Sequence, residues 1–139
     1  MDPRLADLLR QFELERLEVN LFRGVSRDIG SPQVFGGQVL GQALMAAYET
    51  VEPRREVHSL HGYFLRAGNS NEPISFAVER LRDGRSFSAR RVHAIQFGRP
   101  ILSMIVSFQE PSAGVDHQLP MPDVPAPESI PSVAERFGG

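Results

Sequence analysis

The 139-residue sequence contains no cysteine. This absence excludes disulfide bonds, thiolate nucleophiles and cysteine-based zinc sites. The four histidines are scattered and do not have the spacing that zinc enzymes use for their ligands. No glycine pattern of the dinucleotide-binding type is present either. We therefore expect neither a metal nor another cofactor.

The sequence also lacks long apolar runs and a strong charge of one sign. No segment approaches the about 18 apolar residues of a membrane span. Residues 1–4 do not start a basic region followed by an apolar stretch, so no secretory signal is expected. The net charge of -2 creates no field that would attract nucleic acid or anionic lipid. These features predict a cytoplasmic protein that binds no nucleic acid and no membrane.

The most informative segment that is present runs from Val34 to Tyr48. It contains the pair Gly36-Gly37 and continues as a helix, at about residues 37–49, with almost no charged face. Because a surface helix normally has a polar side, this pattern predicts a central, buried helix. Its glycine turn would present unpaired N–H groups to the space in front of it, which suits a polarised carbonyl.

Two shorter elements are predicted before this helix. Asp2 and Pro3 are typical of a helix start, and apolar residues follow them at helical spacing. A single strand is predicted next, because its apolar residues alternate with polar ones. The two patterns consist of Leu5, Leu8, Leu9 and Phe12, and of Leu17, Val19 and Leu21. Residues 24–32 are rich in Gly, Ser and Asp and are predicted to form a loop.

Four strands are predicted after the central helix, at residues 57–65, 73–81, 85–96 and 101–109. The pair Asp83-Gly84 predicts a hairpin with a type I′ turn, which needs positive φ. The alternation of the third strand changes phase near Arg90, which predicts a bulge there. Two apolar faces are predicted to belong to the core: Ile74, Phe76 and Val78, and Leu102, Met104, Val106 and Phe108.

The order of these elements predicts an α+β hotdog fold, in which a curved antiparallel sheet wraps a long central helix. Residues 1–110 are expected to form this single domain. The composition then changes, with six prolines between Pro111 and Pro131. Proline removes a backbone donor and cannot lie inside a sheet. We expect residues 111–139 to be a Pro-rich linker towards a second hotdog domain that this sequence does not include.

Several motifs, some of them long, are distributed along most of the chain. They lie at residues 21–24, 33–39, 57–66, 81–92, 94–96 and 121–127. Through them the chain resembles the amino-terminal half of the bacterial acyl-CoA thioesterase II enzymes, the TesB-like family. The resemblance implies hydrolysis of fatty acyl-CoA thioesters to free acid and CoA. It also implies two tandem hotdog domains that pack as a pseudo-dimer. The expected partner is thus a second hotdog domain or, failing that, another copy of the chain in a homo-oligomer.

The candidate substrate-binding residues surround the glycine turn: they are Phe35, Gly36, Gly37 and Gln38. The N–H groups of the turn would stabilise an oxyanion. The alternative is that the glycines only allow close packing. Gln38 and Gln42 either line a polar end of an acyl cleft or bond to strand backbone between the domains.

His58 is the candidate catalytic residue, as a general base, because the resemblance points to the histidine of this motif. It is expected to point the same way as Leu60. The alternative is a structural histidine of the strand. The Asp, Thr and Gln that activate water in the family belong to its second hotdog, so no residue here takes their roles.

Five arginines near the last hairpins form a further candidate group, because guanidinium groups suit the phosphates of CoA. A solvated basic edge is the alternative. They are Arg82, Arg85, Arg90, Arg91 and Arg99.

Two other functions stay open at this point. One is a non-catalytic, acyl-binding scaffold that completes the active site of a partner. The other is a hotdog hydratase that uses Asp28 and His58.

Overall fold

The computed structural model describes residues 2–27 and 30–138, so Asp28 of the hydratase hypothesis lies outside the described residues. Three α-helices, six strands and one 3-10 turn are found in this part of the chain. In order they are α1 (Pro3–Gln11), β1 (Glu15–Glu18), β2 (Leu21–Gly24), α2 (Gly36–Tyr48), β3 (Glu56–Phe64), β4 (Ile74–Asp83), β5 (Phe87–Gln96), β6 (Arg99–Gln109), the 3-10 turn (Pro127–Ser129) and α3 (Val133–Phe137).

The six strands form one antiparallel sheet in the order β1-β2-β4-β5-β6-β3. Strands β1 and β3 are therefore its edges. Helix α2 packs across β2, β4, β5 and β6 on one face of the sheet, which we call the helix side. The opposite face is called the outer side. Between the two layers lies the core.

The core confirms both predicted apolar faces. Alternate residues of the central strands point to the helix side, and small residues of α2 let the helix lie close to them. The fully buried positions include Ile74, Phe76, Val92, Ala94, Leu102, Met104, Val106 and Phe108 of the sheet and Ala43, Ala46 and Ala47 of the helix. Burial of this apolar area is the main contribution to the stability of the domain.

Two aromatic rings cover the flank of α2 that faces away from the sheet. A Cβ atom at Gly41 would collide with the ring of Phe12, and one at Gly37 would collide with the ring of Phe35. Both glycines thus allow a ring to lie directly against the helix backbone. Met45 is 37% exposed on the same helix.

Helix α1 forms where the sequence predicts it. The Asp2 side chain accepts a hydrogen bond from the Arg4 N–H at 2.8 Å, and Pro3 is the first helical residue. Its leucines, however, are not covered: Leu5, Leu8 and Leu9 are each almost half exposed.

The prediction of a single strand after α1 was wrong, because the chain makes two strands and reverses at Asn20. The Asn20 carbonyl accepts from the Val78 N–H at 2.8 Å, and its side-chain oxygen accepts from Arg80. Asparagine is a common turn residue because its side chain stabilises tight backbone conformations. Leu17, Val19 and Leu21, which alternate with polar residues in the sequence, therefore lie across a turn and not along one strand.

The predicted hairpin at Asp83-Gly84 is present, but its predicted turn type was wrong. Positive φ occurs, among the described residues, at Gly30, Phe97 and Gly98, and not at Gly84. Asp83 stays in β4, where its carboxylate accepts hydrogen bonds from Ser88 and Arg90. The two consecutive positive φ values that a type I′ turn requires lie at Phe97 and Gly98, between β5 and β6.

The predicted bulge at Arg90 was also wrong, because β5 alternates without a break. Its buried positions are Ser88, Arg90, Val92, Ala94 and Gln96. The irregularity lies on the neighbouring strand, between Arg80 and Arg82. The prediction assumed that apolar residues mark the helix side, whereas Phe87 lies on the outer side and is 49% exposed.

Residues 111–138 are exposed and form no strand. Their last helix, α3, has a capping box, in which Ser132 and Glu135 bond to each other's backbone N–H. None of the helices in the described ranges has the length and apolar character of a membrane span.

Candidate functional site

The amino end of α2 carries two unpaired donors. Phe35 is the N-cap in an extended conformation, and its side chain makes no capping hydrogen bond. Its carbonyl accepts from the N–H groups of Gln38 and Val39, at 3.0 and 3.3 Å. The N–H groups of Gly36 and Gly37 have no partner within residues 2–27 and 30–138. They are therefore available to an oxygen atom in front of the helix.

A first cavity lies on the Gly36 side of this helix end and has a volume of about 360 Å³. Its wall includes Phe64 and Leu65 from the end of β3, and Arg66. A Cβ at Gly36 would lie 3.1 Å from the Phe64 ring. The helix end and the end of β3 are thus in direct contact.

A second cavity, of about 430 Å³, lies on the Gly37 side, between α1 and α2. Most of its wall is apolar, and Arg27 forms an ion pair with Asp7 at 3.2 Å next to it. The lining residues are Leu8, Gln11, Phe12, Arg27, Phe35, Gly37 and Gln38. Of the four predicted substrate-binding residues, three line this cavity, and Gly36 lines the first one.

Gln38 and Gln42 are buried and bond to backbone, but not to the strand backbone between domains that the second interpretation names. The side-chain Nε2 of each donates to the Val25 carbonyl, at 3.3 and 3.0 Å. Gln42 also donates to the Gln11 carbonyl at 2.7 Å. These acceptors belong to the end of α1 and to the loop after β2. The glutamines thus tie both segments to the helix beside the second cavity.

His58 lies at an irregularity of β3, between Val57 and Ser59, and is exposed on the outer side of the sheet. Its Nε2 is 2.8 Å from the Ser107 Oγ. Leu60 instead pairs with the buried Val106 and points to the helix side. The predicted common direction of His58 and Leu60 was wrong, because the extra residue shifts the alternation.

The structure does not bring His58 to the glycine turn within this chain. Phe64, which contacts Gly36, follows His58 by six positions on the same strand. At about 3.3 Å per residue, this separation is roughly 20 Å. Among the residues that the structure describes, those that line the two cavities include Arg27 and Arg66 but no Asp, Glu or His. No cluster of His, Asp or Glu that could hold a metal ion is found in the described ranges.

The five arginines of the hairpins do not form one cluster. Arg90 is 1% exposed, and all five of its N–H groups are engaged, by Asp83, by Thr50 and by the carbonyls of Arg82 and Ala89. Arg91, the next residue, is paired with Glu79 on the outer side. Because side chains alternate along β5, Arg90 and Arg91 lie on opposite faces of the sheet.

Sequence reasoning missed two groups of residues and one single residue. Leu8 and Phe12 line the second cavity; their helical spacing predicts the helix but not the cavity behind it. Phe64 and Leu65 line the first cavity, and only the path of β3 places them there. Arg55 is buried at the other end of α2, and no local pattern indicates this.

Comparison with known proteins adds a family match over most of the sheet and the central helix. The family model described as the acyl-CoA thioesterase N-terminal domain matches residues 25–109. Acyl-CoA thioesterase 2 of Haemophilus influenzae is 48% identical over 130 residues, which are 94% of this chain and 46% of the relative. Human acyl-coenzyme A thioesterase 8 is 47% identical over 118 residues, 84% of this chain and 37% of the relative. The chain thus spans less than half the length of these relatives.

Solved structures confirm the predicted hotdog fold. The acyl-CoA thioesterase II TesB2 of Mycobacterium marinum superimposes with a TM-score of 0.78 at 50% identity, over 87% of this chain and 45% of that one. A hot dog protein of unknown function from Alicyclobacillus acidocaldarius matches with a TM-score of 0.76 at 22% identity, over 90% of this chain and 48% of that one. The second likeness shows the fold alone.

Proposed function

Because the chain belongs to the acyl-CoA thioesterase family, we propose that the protein hydrolyses fatty acyl-CoA thioesters to free fatty acid and CoA, with this domain as its amino-terminal half. One observation carries the proposal. The N–H groups of Gly36 and Gly37, which have no partner among the described residues, lie at a helix end between two cavities. Such donors stabilise the negative charge that develops on the carbonyl oxygen when water attacks a thioester.

In this proposal the four predicted residues bind the substrate. Gly36 and Gly37 donate to the thioester oxygen, and Phe35 and Gln38 form the wall beside it. The apolar cavity along Leu8 and its neighbours takes the acyl chain, since burial of each methylene group is favourable by about 0.8 kcal/mol.

Among the described residues, the walls of the two cavities contain backbone donors but no Asp, Glu or His, so we propose that a second hotdog domain activates the water. The resemblance assigns this step to an Asp, a Thr and a Gln of that domain. The edge strand β3 supports such a partner: Leu60, Tyr63 and Phe64 are between 41% and 65% exposed on it. Exposed apolar edge strands pair with another strand or aggregate. A second copy of the chain would fill the same role in a homo-oligomer.

The composition of the two cavity walls also favours a second candidate function for the isolated domain, that of a non-catalytic acyl-binding scaffold. With no Asp, Glu or His among the described residues of the two cavity walls, the domain would bind the substrate and leave the chemistry to its partner. His58 stays the catalytic prediction within the chain, and its position on the outer side favours the structural alternative.

Thiol release from palmitoyl-CoA separates these proposals when the intact protein and residues 1–139 are assayed side by side. We expect release by the intact protein, and saturable binding without release by the shorter chain. Thiol release by the shorter chain would refute the scaffold role, and His58 would then be the leading candidate for the general base. Hydration of a crotonyl-CoA substrate without thiol release would refute the thioesterase proposal. We also propose a cytoplasmic location and a role in lipid metabolism, which cell fractionation and acyl-CoA profiling would test.

A further inference from the structure

A third cleft, of about 310 Å³, lies at the opposite end of α2 from the glycine turn. It is formed between the segment that follows the helix and the hairpin of β4 and β5. Its polar lining residues include Thr50, Glu52, Arg55, Arg80, Asp83 and Arg90. The motif at residues 81–92 supplies part of this wall. This motif has no role in the proposed hydrolysis.

The charges around the cleft are unevenly matched. Arg90 uses all of its donors on the protein, and Asp83 is its counter-ion at 2.6 Å. Arg80 is exposed and donates its Nε to the neutral Asn20 side chain. Three guanidinium groups therefore face two carboxylates, those of Asp83 and Glu52.

Arg55 is the unusual member of this group, because it is buried and incompletely paired. It is 5% exposed, and its Nη2 donates to the Gly84 carbonyl at 2.8 Å. Among the described residues, one carboxylate lies in its ion-pair range, that of Glu52, which is 3.9 Å from its Nε and is itself 57% exposed. Its Nη1 is buried and has no hydrogen-bond partner among the residues that the structure describes.

A buried charge with idle donors is unfavourable unless a ligand engages it. The hydrogen bond to the Gly84 carbonyl uses Nη2 of Arg55, so Nη1 is left for such a ligand. The guanidinium fork matches the tetrahedral oxygens of phosphate and binds them in pairs. Nearby, Arg80 can add a second charge to the same oxygens.

We propose that this cleft binds a phosphate group, which is held by Arg55 and Arg80. The phosphate belongs either to free inorganic phosphate or to the 3′-phosphate of CoA. Only the second source rests on the proposed function. If Arg55 had only a structural role, the protein would not bind phosphate at this cleft.

Titration of the intact protein with inorganic phosphate, followed by calorimetry at constant ionic strength, tests the site. We expect saturable binding that Arg55→Gln weakens about tenfold or more, since charged hydrogen bonds are lost. Arg91→Gln is the matched control, because it removes the same charge on the outer side of the sheet and outside the cleft. Arg55→Lys and Arg80→Gln serve if Arg55→Gln does not fold, and each should weaken binding severalfold.

CoA and dephospho-CoA, which lacks the 3′-phosphate, distinguish the two sources. Tighter binding of CoA that is lost in Arg80→Gln assigns the site to CoA. Equal binding of the two, with saturable inorganic phosphate, assigns it to the free anion. Absence of saturable binding, or equal weakening by Arg91→Gln, overturns the proposal. Thiol release is measured on the same samples, so that normal hydrolysis without phosphate binding refutes the site and spares the proposed activity.

Discussion

The guanidinium of Arg90 and the carboxylate of Asp83 are 2.6 Å apart and join the interior of β5 to the end of β4. Arg90 is 1% exposed, whereas the Asp83 side chain is 52% exposed. The same guanidinium donates to the side chain and the carbonyl of Thr50, at 2.8 and 2.9 Å. One side chain thus fastens the segment after α2 to the sheet.

We predict that Arg90→Gln lowers the free energy of unfolding by roughly 3 kcal/mol, because several hydrogen bonds of a buried charge are lost. Arg91→Gln is the control: its ion pair with Glu79 is exposed and should contribute less than about 1 kcal/mol. Urea denaturation followed by circular dichroism measures both. Equal losses in the two variants would contradict the structural role of Arg90.

The stability of the domain should depend on the ionisation of Asp83. Burial opposes ionisation, but the hydrogen bonds from Arg90 and Ser88 and the charge of Arg90 hold the pKa of this carboxyl below its ordinary value of 3.8. As the pH falls, the unfolded chain therefore takes up the proton first. The stabilisation is present above about pH 4 and is lost as the pH falls through the folded-state pKa.

Asp83→Asn is the variant that isolates this effect. The difference in unfolding free energy between the wild type and Asp83→Asn should shrink as the pH is lowered from about 5 to about 2.5. A difference that stays constant over this range would show that the charge of Asp83 contributes nothing.

The turn between β5 and β6 offers a stabilising substitution. Phe97 has a φ of 50° and is 75% exposed, so its ring gains little from burial. Asparagine tolerates this conformation better, and Asn-Gly is a preferred type I′ pair. We expect Phe97→Asn to raise stability by about 1 kcal/mol. Gly98→Ala, at a φ of 71° with open space around it, should lower stability, and thermal unfolding compares the two.

The role of the glycine turn can be tested by removing one N–H group without disturbing the helix. Gly36 is the first helical residue, where proline is well tolerated, and Phe35 before it is already extended, with ψ at 125°. Gly36→Pro should lower kcat by about 100-fold or more, as expected for one lost oxyanion donor. Gly36→Ala keeps the N–H and also adds a Cβ, so it serves as the control and should lose much less. Equal losses would indicate that space, and not the donor, is needed.

His58 is tested in the intact protein with His61 as its counterpart, since both are exposed histidines of β3. His58→Ala removes the contact with Ser107 and the edge-on contact with the Phe87 ring. We expect turnover within about threefold of the wild type and a loss of stability of about 1 kcal/mol. A loss of turnover above about tenfold in His58→Ala but not in His61→Ala would make His58 the general base.

Sequence reasoning succeeded where a pattern depends on near neighbours. The alternation of Leu102, Met104 and Val106 predicts their common burial, and the glycine pair predicts the open helix end at Gly36. Sequence reasoning failed where a polar residue is buried in the interior of the domain. Ser88 and Arg90 are buried because their donors are satisfied by Asp83, on the other side of the hairpin, and by Thr50, which precedes Arg90 by 40 residues. Periodicity of hydrophobic residues contains no information about such partners.

The sequence by itself determined α1, α2, the four strands that follow α2 and the apolar layers between them, since the periods of 3.6 and 2 residues follow from local backbone geometry. Only the tertiary structure decided where the chemistry lies. One extra residue in β3 turns His58 to the outer side, and the path of that strand carries Phe64 against Gly36. The pairing of strands far apart in the chain depends on the free energy of the whole sheet, and therefore the position of each polar side chain does as well.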